Sequence, residues 1–167
     1  MEFFTTAAFN PASATYDSYL INHSTAYTIA ALVSWLEFWL KNFVGTTTGL
    51  NWSFPPSHIS ILVGLLFTTF GQFARSLAMW TARSNFNHIV QDRKHKGHVL
   101  VTSGIYTFLR HPSYVGFFYW SIGTQILLGN PFCIVAYTLA SWRFFNQRIP
   151  VEEEFLATRI FPNEYPR

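Results

Sequence analysis

Charged residues are scarce in this sequence, which has 11 Lys or Arg and 8 Asp or Glu among its 167 residues. Their share is 11%, against roughly a quarter in ordinary soluble domains. Half of the residues are hydrophobic, and the 18 Phe, 8 Tyr and 6 Trp bring the aromatic share to 19%. A water-soluble globule of this size lacks the polar surface to cover so many apolar side chains. We therefore expect part of the chain to face lipid or a partner.

Cysteine is almost missing, since Cys133 is the only one. This excludes a disulfide framework within the chain and a Cys-x-x-Cys metal site. Four histidines lie in the polar middle of the sequence, but they show neither a His-x-x-x-His pair nor a carboxylate at ligand spacing. These are His88, His95, His98 and His111. We therefore expect no metal site.

Two further absences narrow the class of protein. Residues 1–20 lack a basic start and a continuous apolar run, so we do not expect a secretory signal peptide. Basic residues gather between Arg75 and Arg110, and their only run is Arg93-Lys94-His95-Lys96, which argues against a nucleic-acid partner. A basic loop between apolar segments is instead typical of the cytoplasmic side of a membrane protein.

Four apolar segments are predicted to be membrane helices, at about residues 25–44, 57–80, 112–129 and 131–146. Ser57 follows two prolines and is expected to cap the second helix, while 45–56 is expected to be a loop. Gly129-Asn130-Pro131 predicts a turn, because glycine tolerates positive φ and proline cannot continue a helix. The last two helices therefore form a predicted hairpin.

Three charged residues fall within the first two predicted helices. Glu37 and Lys41 are four residues apart, so they could pair across one helical turn, or with a neighbouring helix. Arg75 lies in the last turns of the second helix and is expected to extend toward the interface. The chain is thus predicted to be an all-α, polytopic membrane protein with a single domain, residues 1–167. Its polar regions, 82–114 and 147–167, are expected to lie on the cytoplasmic face.

Five ordered strings in these polar regions and the hairpin resemble the isoprenylcysteine carboxyl methyltransferase family. They are Ser84-Asn-Phe-Asn-His88, His98-Val-Leu-Val-Thr-Ser-Gly-Ile-Tyr106, Arg110-His-Pro-Ser-Tyr-Val-Gly116, Trp120-Ser-Ile-Gly-Thr-Gln125, and Trp142-Arg-Phe-Phe145 with Arg148 and Glu152-Glu-Glu154. Residues 17–24 and 34–38 are also similar to the family. Eukaryotic members usually carry further membrane helices before this start and a longer tail, so the resemblance implies a shortened member.

The resemblance implies methyl transfer from S-adenosylmethionine to the C-terminal α-carboxylate of a prenylated cysteine. The partners implied are CaaX proteins, such as small GTPases or lipidated peptides, together with membrane lipid. The location implied is the endoplasmic reticulum membrane, with the site facing the cytoplasm. The prenyl chain is expected to enter sideways from the bilayer, and the apolar faces of helices 57–79 and 112–129 are alternative candidates for its binding.

The resemblance also implies which residues bind the cofactor. They are Gln91, His98, Val99, Leu100, Val101, Tyr106, His111, Pro112, Ser113, Tyr114 and Glu152. Arg148 is the candidate for positioning the substrate carboxylate, because a guanidinium matches a carboxylate in shape and stays charged. Glu152 is four residues further on, and would share a helix face with Arg148.

Two alternatives remain open at this stage. A nicotinamide-dependent membrane reductase of the sterol-reductase type resembles this family in its cofactor region. A non-catalytic or partner-dependent relative is the other alternative, since the resemblance implies a shortened chain.

Overall fold

The computed structural model describes residues 25–50, 57–87, 91, 93–94 and 97–165. The expectations for residues 1–20 and for His88 and His95 lie outside them. The described part is all-helical, as predicted. Its main helices are α1 (Thr25–Thr48), α2 (His58–Ala82), α3 (Pro112–Leu128) and α4 (Pro131–Phe155). The shorter elements are the 3₁₀ turns Arg83–Asn85 and Gly104–Thr107 and the π-helical turn Leu156–Ile160.

The start of α2 confirms the predicted cap. Ser57 accepts a hydrogen bond from the backbone of Ser60, and Ser60 in turn accepts one from the backbone of Ser57. This reciprocal arrangement satisfies two backbone donors that have no partner within the helix.

Helix α1 ends later than predicted, because part of the expected loop continues the helix. Thr46 and Thr47 donate to the carbonyl oxygen of Phe43 at 2.8 and 2.9 Å, and Thr48 donates to that of Val44 at 2.8 Å. The three threonine hydroxyl groups donate hydrogen bonds to carbonyl oxygens in the last turns of the helix, so these β-branched residues remain helical.

Helices α2 and α3 pack backbone against backbone through glycines. A Cβ built on Gly71 would lie 2.4 Å from the backbone nitrogen of Trp120 and 2.5 Å from the carbonyl oxygen of Gly116. A Cβ on Gly123 would meet the backbone nitrogen of Thr68 at 2.6 Å. Only glycine permits this approach, so α2 and α3 form the tightly packed pair on which the site is built.

The predicted hairpin between α3 and α4 is confirmed, and its turn is held by the two charges of α1. Gly129 ends α3 in the left-handed conformation at φ 64°, and Pro131 begins α4. Glu37 accepts from the backbone nitrogens of Phe132 and Cys133 at 3.0 and 2.8 Å. Lys41 donates to the carbonyl oxygens of Leu128 and Gly129. Each charge therefore binds the helix end of opposite polarity.

This arrangement decides between the two interpretations of Glu37 and Lys41. The sequence allowed a pair across one helical turn or with a neighbouring helix, and both side chains bind the neighbouring hairpin. Backbone groups at a helix end are strong partners because they carry partial charge. The hairpin turn presents the carbonyl groups that end α3 beside the N–H groups that begin α4.

Below the turn, a buried polar cluster joins α1 to the hairpin. Ser34 donates to the side-chain oxygen of Gln125 at 2.8 Å. Asn130 is fully buried, and its amide donates to the carbonyl oxygen of Ser34 at 3.0 Å and to Gln125 at 3.1 Å. The cluster fixes the height of α1 relative to α3, because a buried polar group is costly without its partner.

Large apolar side chains face outward on three of the helices. The most exposed include Leu62, Leu66 and Phe73 of α2, Trp35 and Trp39 of α1, and Leu139 and Trp142 of α4. The buried residues of α2 are small or slender, among them Gly64, Gly71, Ala74 and Ala78. This is the reverse of the pattern in a soluble protein, where large apolar side chains fill the core.

Judged by length, hydropathy and charge alone, the segment His58–Asn85 is the one helix among the described residues that could cross a membrane. Helix α3 has 17 residues, or about 26 Å at 1.5 Å per residue, and is slightly short for a hydrocarbon core of ~30 Å. The count of four membrane helices therefore stays a prediction.

Candidate functional site

One cavity of about 750 Å³ brings together all the residues that the sequence nominated for the site. Its size lies within the range of roughly 300–1,000 Å³ that is usual for ligand pockets. The nominated residues on its wall are Gln91, His98, Val99, Leu100, Val101, Tyr106, His111, Pro112, Ser113, Tyr114, Arg148 and Glu152. The cavity has a polar end, lined by residues 98–114 and 148–152, and an apolar end between α1, α3 and α4.

Tyr114 lies at the centre of the polar end. Its hydroxyl accepts a hydrogen bond from Arg148 Nε at 2.9 Å and donates one to the carboxylate of Glu152. Arg148 and Glu152 are one helical turn apart on α4, so they share a face as predicted, while Tyr114 lies in the first turn of α3. The tyrosine therefore links the two charged residues across the open end of the hairpin.

Aromatic rings fix the orientation of the Arg148 guanidinium. Its central carbon lies 5.5 Å from the ring centroid of Tyr114 and 5.5 Å from that of Phe144. Phe145 in turn stacks on Tyr114, with 4.9 Å between the two ring centroids. Since cation–π contacts are favourable and the Nε bond is directional, the guanidinium is held in one plane beside the cavity.

A second charged group lies beside the first and centres on Glu153. This carboxylate accepts from His111 Nε2 at 3.2 Å and from Arg110 at 3.4 Å. Burial alone would raise the pKa of Glu153, but these two partners outweigh it and lower the pKa below its usual value. The ring of His111 stacks on Tyr114 with an angle of 4° between the planes, so the two charged groups adjoin.

The loop before α3 forms another wall of the polar end. The side-chain oxygen of Asn85 accepts from the backbone nitrogen of Val99 at 2.9 Å, which anchors the loop to the end of α2. The ring of His98 packs edge-on against Phe161 at 5.3 Å. Burial, with the charge of Glu152 adding to it, raises the pKa of Tyr106 to about 12, so its phenol is neutral at physiological pH.

The apolar end lies mainly against α1, α3 and α4. Its wall includes Ala30 and Trp35 of α1, Phe117 of α3 and Ala140 of α4. Of the two helices expected to hold a prenyl chain, the one at 112–129 lines this end. The other, at 57–79, contributes only Arg75 to the cavity wall among its residues. The glycine packing explains this, because the inner face of α2 is already occupied by α3.

The side chain of Arg75 corrects an expectation. Instead of extending along the helix toward the interface, it donates to the hydroxyl oxygen of Ser113 at 2.8 Å and lies over the ring of Phe117 at 5.5 Å. It also lines the cavity. The position of Arg75 within an apolar helix could have indicated from the sequence that it lines the cavity, because charged residues in such helices usually face a polar interior.

The C-terminal segment supplies wall residues that the sequence did not nominate. Leu156, Ile160 and Phe161 line the cavity, and Ile160 and Phe161 are each only 2% exposed. The π-helical turn Leu156–Ile160 carries two of them, and such turns often occur at functional sites. No local pattern in this stretch distinguishes a π-helical turn from an ordinary one.

Comparison with known proteins supports the resemblance of the strings. The model of the isoprenylcysteine carboxyl methyltransferase (ICMT) family matches residues 62–158. The chain belongs to the isoprenylcysteine carboxyl methyltransferase family. The predicted resemblance is thereby confirmed, and the matched range contains most of the cavity wall.

Relatives of this ICMT-family chain include several named protein-S-isoprenylcysteine O-methyltransferase. The protein of Xenopus laevis is 52% identical over 165 residues, which cover 98% of this chain and 54% of the relative. The human protein is also 52% identical, with coverage of 98% and 55%. That of Schizosaccharomyces pombe is 41% identical over 178 residues, with coverage of 99% and 72%. The chain spans about half the length of the two vertebrate relatives.

A solved structure has the same fold as this ICMT-family chain. It is described as the eukaryotic intramembrane Ras methyltransferase ICMT without a monobody. The TM-score is 0.86 and the identity 49%, with 98% of this chain and 56% of the other covered. The fold of this chain is therefore shared with that ICMT structure.

Proposed function

We propose that this chain transfers a methyl group from S-adenosylmethionine to the C-terminal α-carboxylate of a prenylated cysteine, giving a methyl ester. The observation that carries the proposal is the single cavity with a charged, aromatic end and an apolar end. A substrate with a carboxylate attached to a long hydrocarbon needs both ends within one space. The membership of the family supports the same reaction.

The acceptor carboxylate needs positioning rather than activation. Its pKa of about 3.5 leaves it ionised at neutral pH, so no general base is required. Arg148 is the group that positions it, since its guanidinium is oriented by Tyr114 and Phe144 and can match the two carboxylate oxygens. Arg75 also lines the cavity and adds a second positive charge.

The polar end also fits the proposed methyl donor. When bound, S-adenosylmethionine supplies an electrophilic methyl group on a positively charged sulfur. Glu152 offers a carboxylate for an ammonium or hydroxyl group, and Tyr106 offers an aromatic ring on the cavity wall that suits a cation. Residues 98–101 are not helical, so their backbone groups and apolar side chains are available for an adenine ring. Gln91, Tyr106 and the residues from His111 to Tyr114 complete the proposed set.

The aromatic wall excludes water from a step in which opposite charges approach. The rings of Tyr114 and Phe144 lie against the guanidinium of Arg148, so a carboxylate bound there exchanges part of its hydration shell for an aromatic wall. A negatively charged oxygen and a positively charged donor largely neutralise each other as the methyl group moves. A site of low polarity therefore favours this step.

The apolar end is the proposed place for the prenyl chain. Trp35 of α1 and Phe144 of α4 line the cavity while remaining 66% and 51% exposed, so the cavity opens between these helices. A lipid chain already in the bilayer could enter through that gap. The outward apolar faces of α1, α2 and α4 support membrane embedding.

The proposal includes the finer topology. The four main helices lie in the endoplasmic reticulum membrane, and the polar end of the cavity faces the cytoplasm. The basic loop before α3 supports this orientation, because Lys and Arg concentrate on the cytoplasmic side. CaaX proteins that already carry a farnesyl or geranylgeranyl group are the proposed partners.

Transfer of labelled methyl tests the reaction. Membranes that contain this chain, from a host lacking the activity, are given labelled S-adenosylmethionine and N-acetyl-S-farnesylcysteine. We expect a base-labile labelled ester from the wild type and from Arg143→Ala, and none from Arg148→Ala. Arg143 is the matched control because it lies exposed on the same helix, outside the cavity. Absence of the ester despite inserted protein would contradict catalysis by this chain alone.

A binding experiment separates the proposal from the two alternatives. Purified chain in detergent is titrated with S-adenosylhomocysteine and with NADPH. We expect binding of the first and no competition by the second. Preference for NADPH would indicate a reductase, and binding without turnover would indicate a relative that depends on a partner.

A further inference from the structure

The carboxylate of Glu153 joins three parts of the chain at the polar end of the cavity. Its Oε1 accepts from His111 Nε2 at 3.2 Å, from Arg110 at 3.4 Å and from the hydroxyl of Tyr165 at 3.4 Å. The donors come from the start of α3, the loop before it and the C-terminal segment, whereas Glu153 belongs to α4. All three donors line the cavity, but Glu153 does not.

The charge of Glu153 determines how the ring of His111 is oriented. Since the pKa of Glu153 lies below its usual value, the carboxylate is ionised at neutral pH and can only accept. The hydrogen bond therefore runs from His111 Nε2 to the carboxylate, and it fixes the plane of the ring. The side chain of His111 is only 12% exposed, and its ring lies parallel to that of Tyr114.

The three consecutive glutamates of α4 have different surroundings. Glu152 faces the cavity and accepts from Tyr114. Glu153 faces the cluster of Arg110, His111 and Tyr165. Glu154 is exposed. A helix turns by about 100° per residue, so adjacent positions point in different directions and can serve different purposes.

We propose that Glu153 is a positioning residue for cofactor binding. It holds His111, and through the stacked ring it holds Tyr114, in the orientation that the cofactor meets. It also ties the C-terminal segment to the same point through Tyr165. This inference rests on the proposed function, because it assigns a further residue to the same site.

The test compares Glu153→Gln, Glu153→Ala and the matched control Glu154→Gln in the full chain in detergent. Glutamine keeps an acceptor oxygen but loses the charge, whereas alanine removes both. Titration with S-adenosylhomocysteine gives the affinity, and methyl transfer to N-acetyl-S-farnesylcysteine gives kcat and KM. Thermal unfolding without cofactor reports on stability.

We expect Glu153→Gln to weaken S-adenosylhomocysteine binding and raise KM for S-adenosylmethionine by roughly five- to tenfold, with kcat within about twofold. Alanine should weaken binding further, and Glu154→Gln should match the wild type. Glu153→Gln equal to Glu154→Gln would overturn the inference. So would a parallel loss of kcat, affinity and thermal stability, which indicates a structural role alone. A wild type that does not bind S-adenosylhomocysteine would overturn the proposed function as well.

Discussion

Tyr114 determines how the charged residues of the cavity are arranged. It contacts Arg148 and Glu152 through its hydroxyl, and His111 and Phe145 through its ring. A phenol both donates and accepts, so it can lie between a guanidinium and a carboxylate without leaving either charge unpaired. The two charged residues are thereby kept apart, as the different ligands proposed for them require.

The separation of roles predicts different kinetic effects for Arg148 and Glu152. Arg148→Ala should lower turnover by at least about 100-fold while cofactor affinity stays within a few-fold, because its proposed partner is the substrate carboxylate. Methyl transfer and S-adenosylhomocysteine titration measure the two effects. Equal losses of turnover and cofactor affinity would argue against the assignment.

For Glu152→Gln we expect the opposite pattern. Cofactor binding should weaken by about 1–3 kcal/mol, because a charged hydrogen bond is lost. The same titration measures this, with Glu154→Gln as control. Unchanged cofactor affinity would be incompatible with a role in binding the cofactor.

At the scale of helices, the glycine contact between α2 and α3 positions the site. Gly71 and Gly116 bring the two backbones together just before Arg75 and just after Tyr114. The contact therefore determines how far the end of α2 lies from the start of α3, where both contribute to the cavity wall.

Substitutions at two glycines of α2 should have graded effects. Gly71→Ala places a methyl group 2.4 Å from a backbone nitrogen, and we expect a loss of about 1–3 kcal/mol in stability. Gly64→Ala meets the side chain of Leu127 at 2.8 Å and its backbone nitrogen only at 3.1 Å, so its loss should be smaller. Thermal unfolding in detergent measures both. Equal losses would show that backbone proximity is not the limiting factor.

The two charges of α1 predict a second effect on stability. Lys41→Met leaves the carbonyl groups of Leu128 and Gly129 without this donor, at a cost of about 1–3 kcal/mol. Glu37→Gln keeps one acceptor oxygen for the start of α4, so its effect should be smaller. The midpoint of thermal unfolding should fall further for Lys41→Met than for Glu37→Gln. An unchanged midpoint in Lys41→Met would show that the hairpin turn does not need α1.

For the molecule as a whole, the cavity depends on the packing of α1 against the α3–α4 hairpin, which is distant from it in sequence. Helix α1 contributes Ala30, Ser34 and Trp35, while α4 contributes Ala140 and Phe144 from more than a hundred residues later. Small residues on both helices leave the apolar end open. Its width is therefore a property of the packed molecule.

Filling the apolar end should weaken lipid binding selectively. Ala140→Phe places a ring in the space between α1 and α4, and we expect KM for N-acetyl-S-farnesylcysteine to rise by about tenfold or more. Affinity for S-adenosylhomocysteine should stay unchanged. Ala136→Phe, on the same helix but outside the cavity, is the matched control. If both variants behave alike, the prenyl chain does not occupy this end.

Several features could be predicted from the sequence because their causes are local. Ser57 caps the next helix through a residue three positions away, and Gly129 with Pro131 ends one helix and starts another by backbone preference alone. The scarcity of charge predicted outward apolar faces. The five strings led to the family and to the residues that the cavity brings together, although their individual roles stay predictions.

Tertiary structure alone decided the rest, because the contacts involved join residues far apart in the chain. Glu37 and Lys41 find their partners more than 85 residues later, at the ends of two helices. The direction of Arg75 and the partners of Glu153 depend on how closely α2 and α4 approach α3. A charged side chain adopts the conformation in which nearby groups best replace water, and those groups are defined only once the helices have packed.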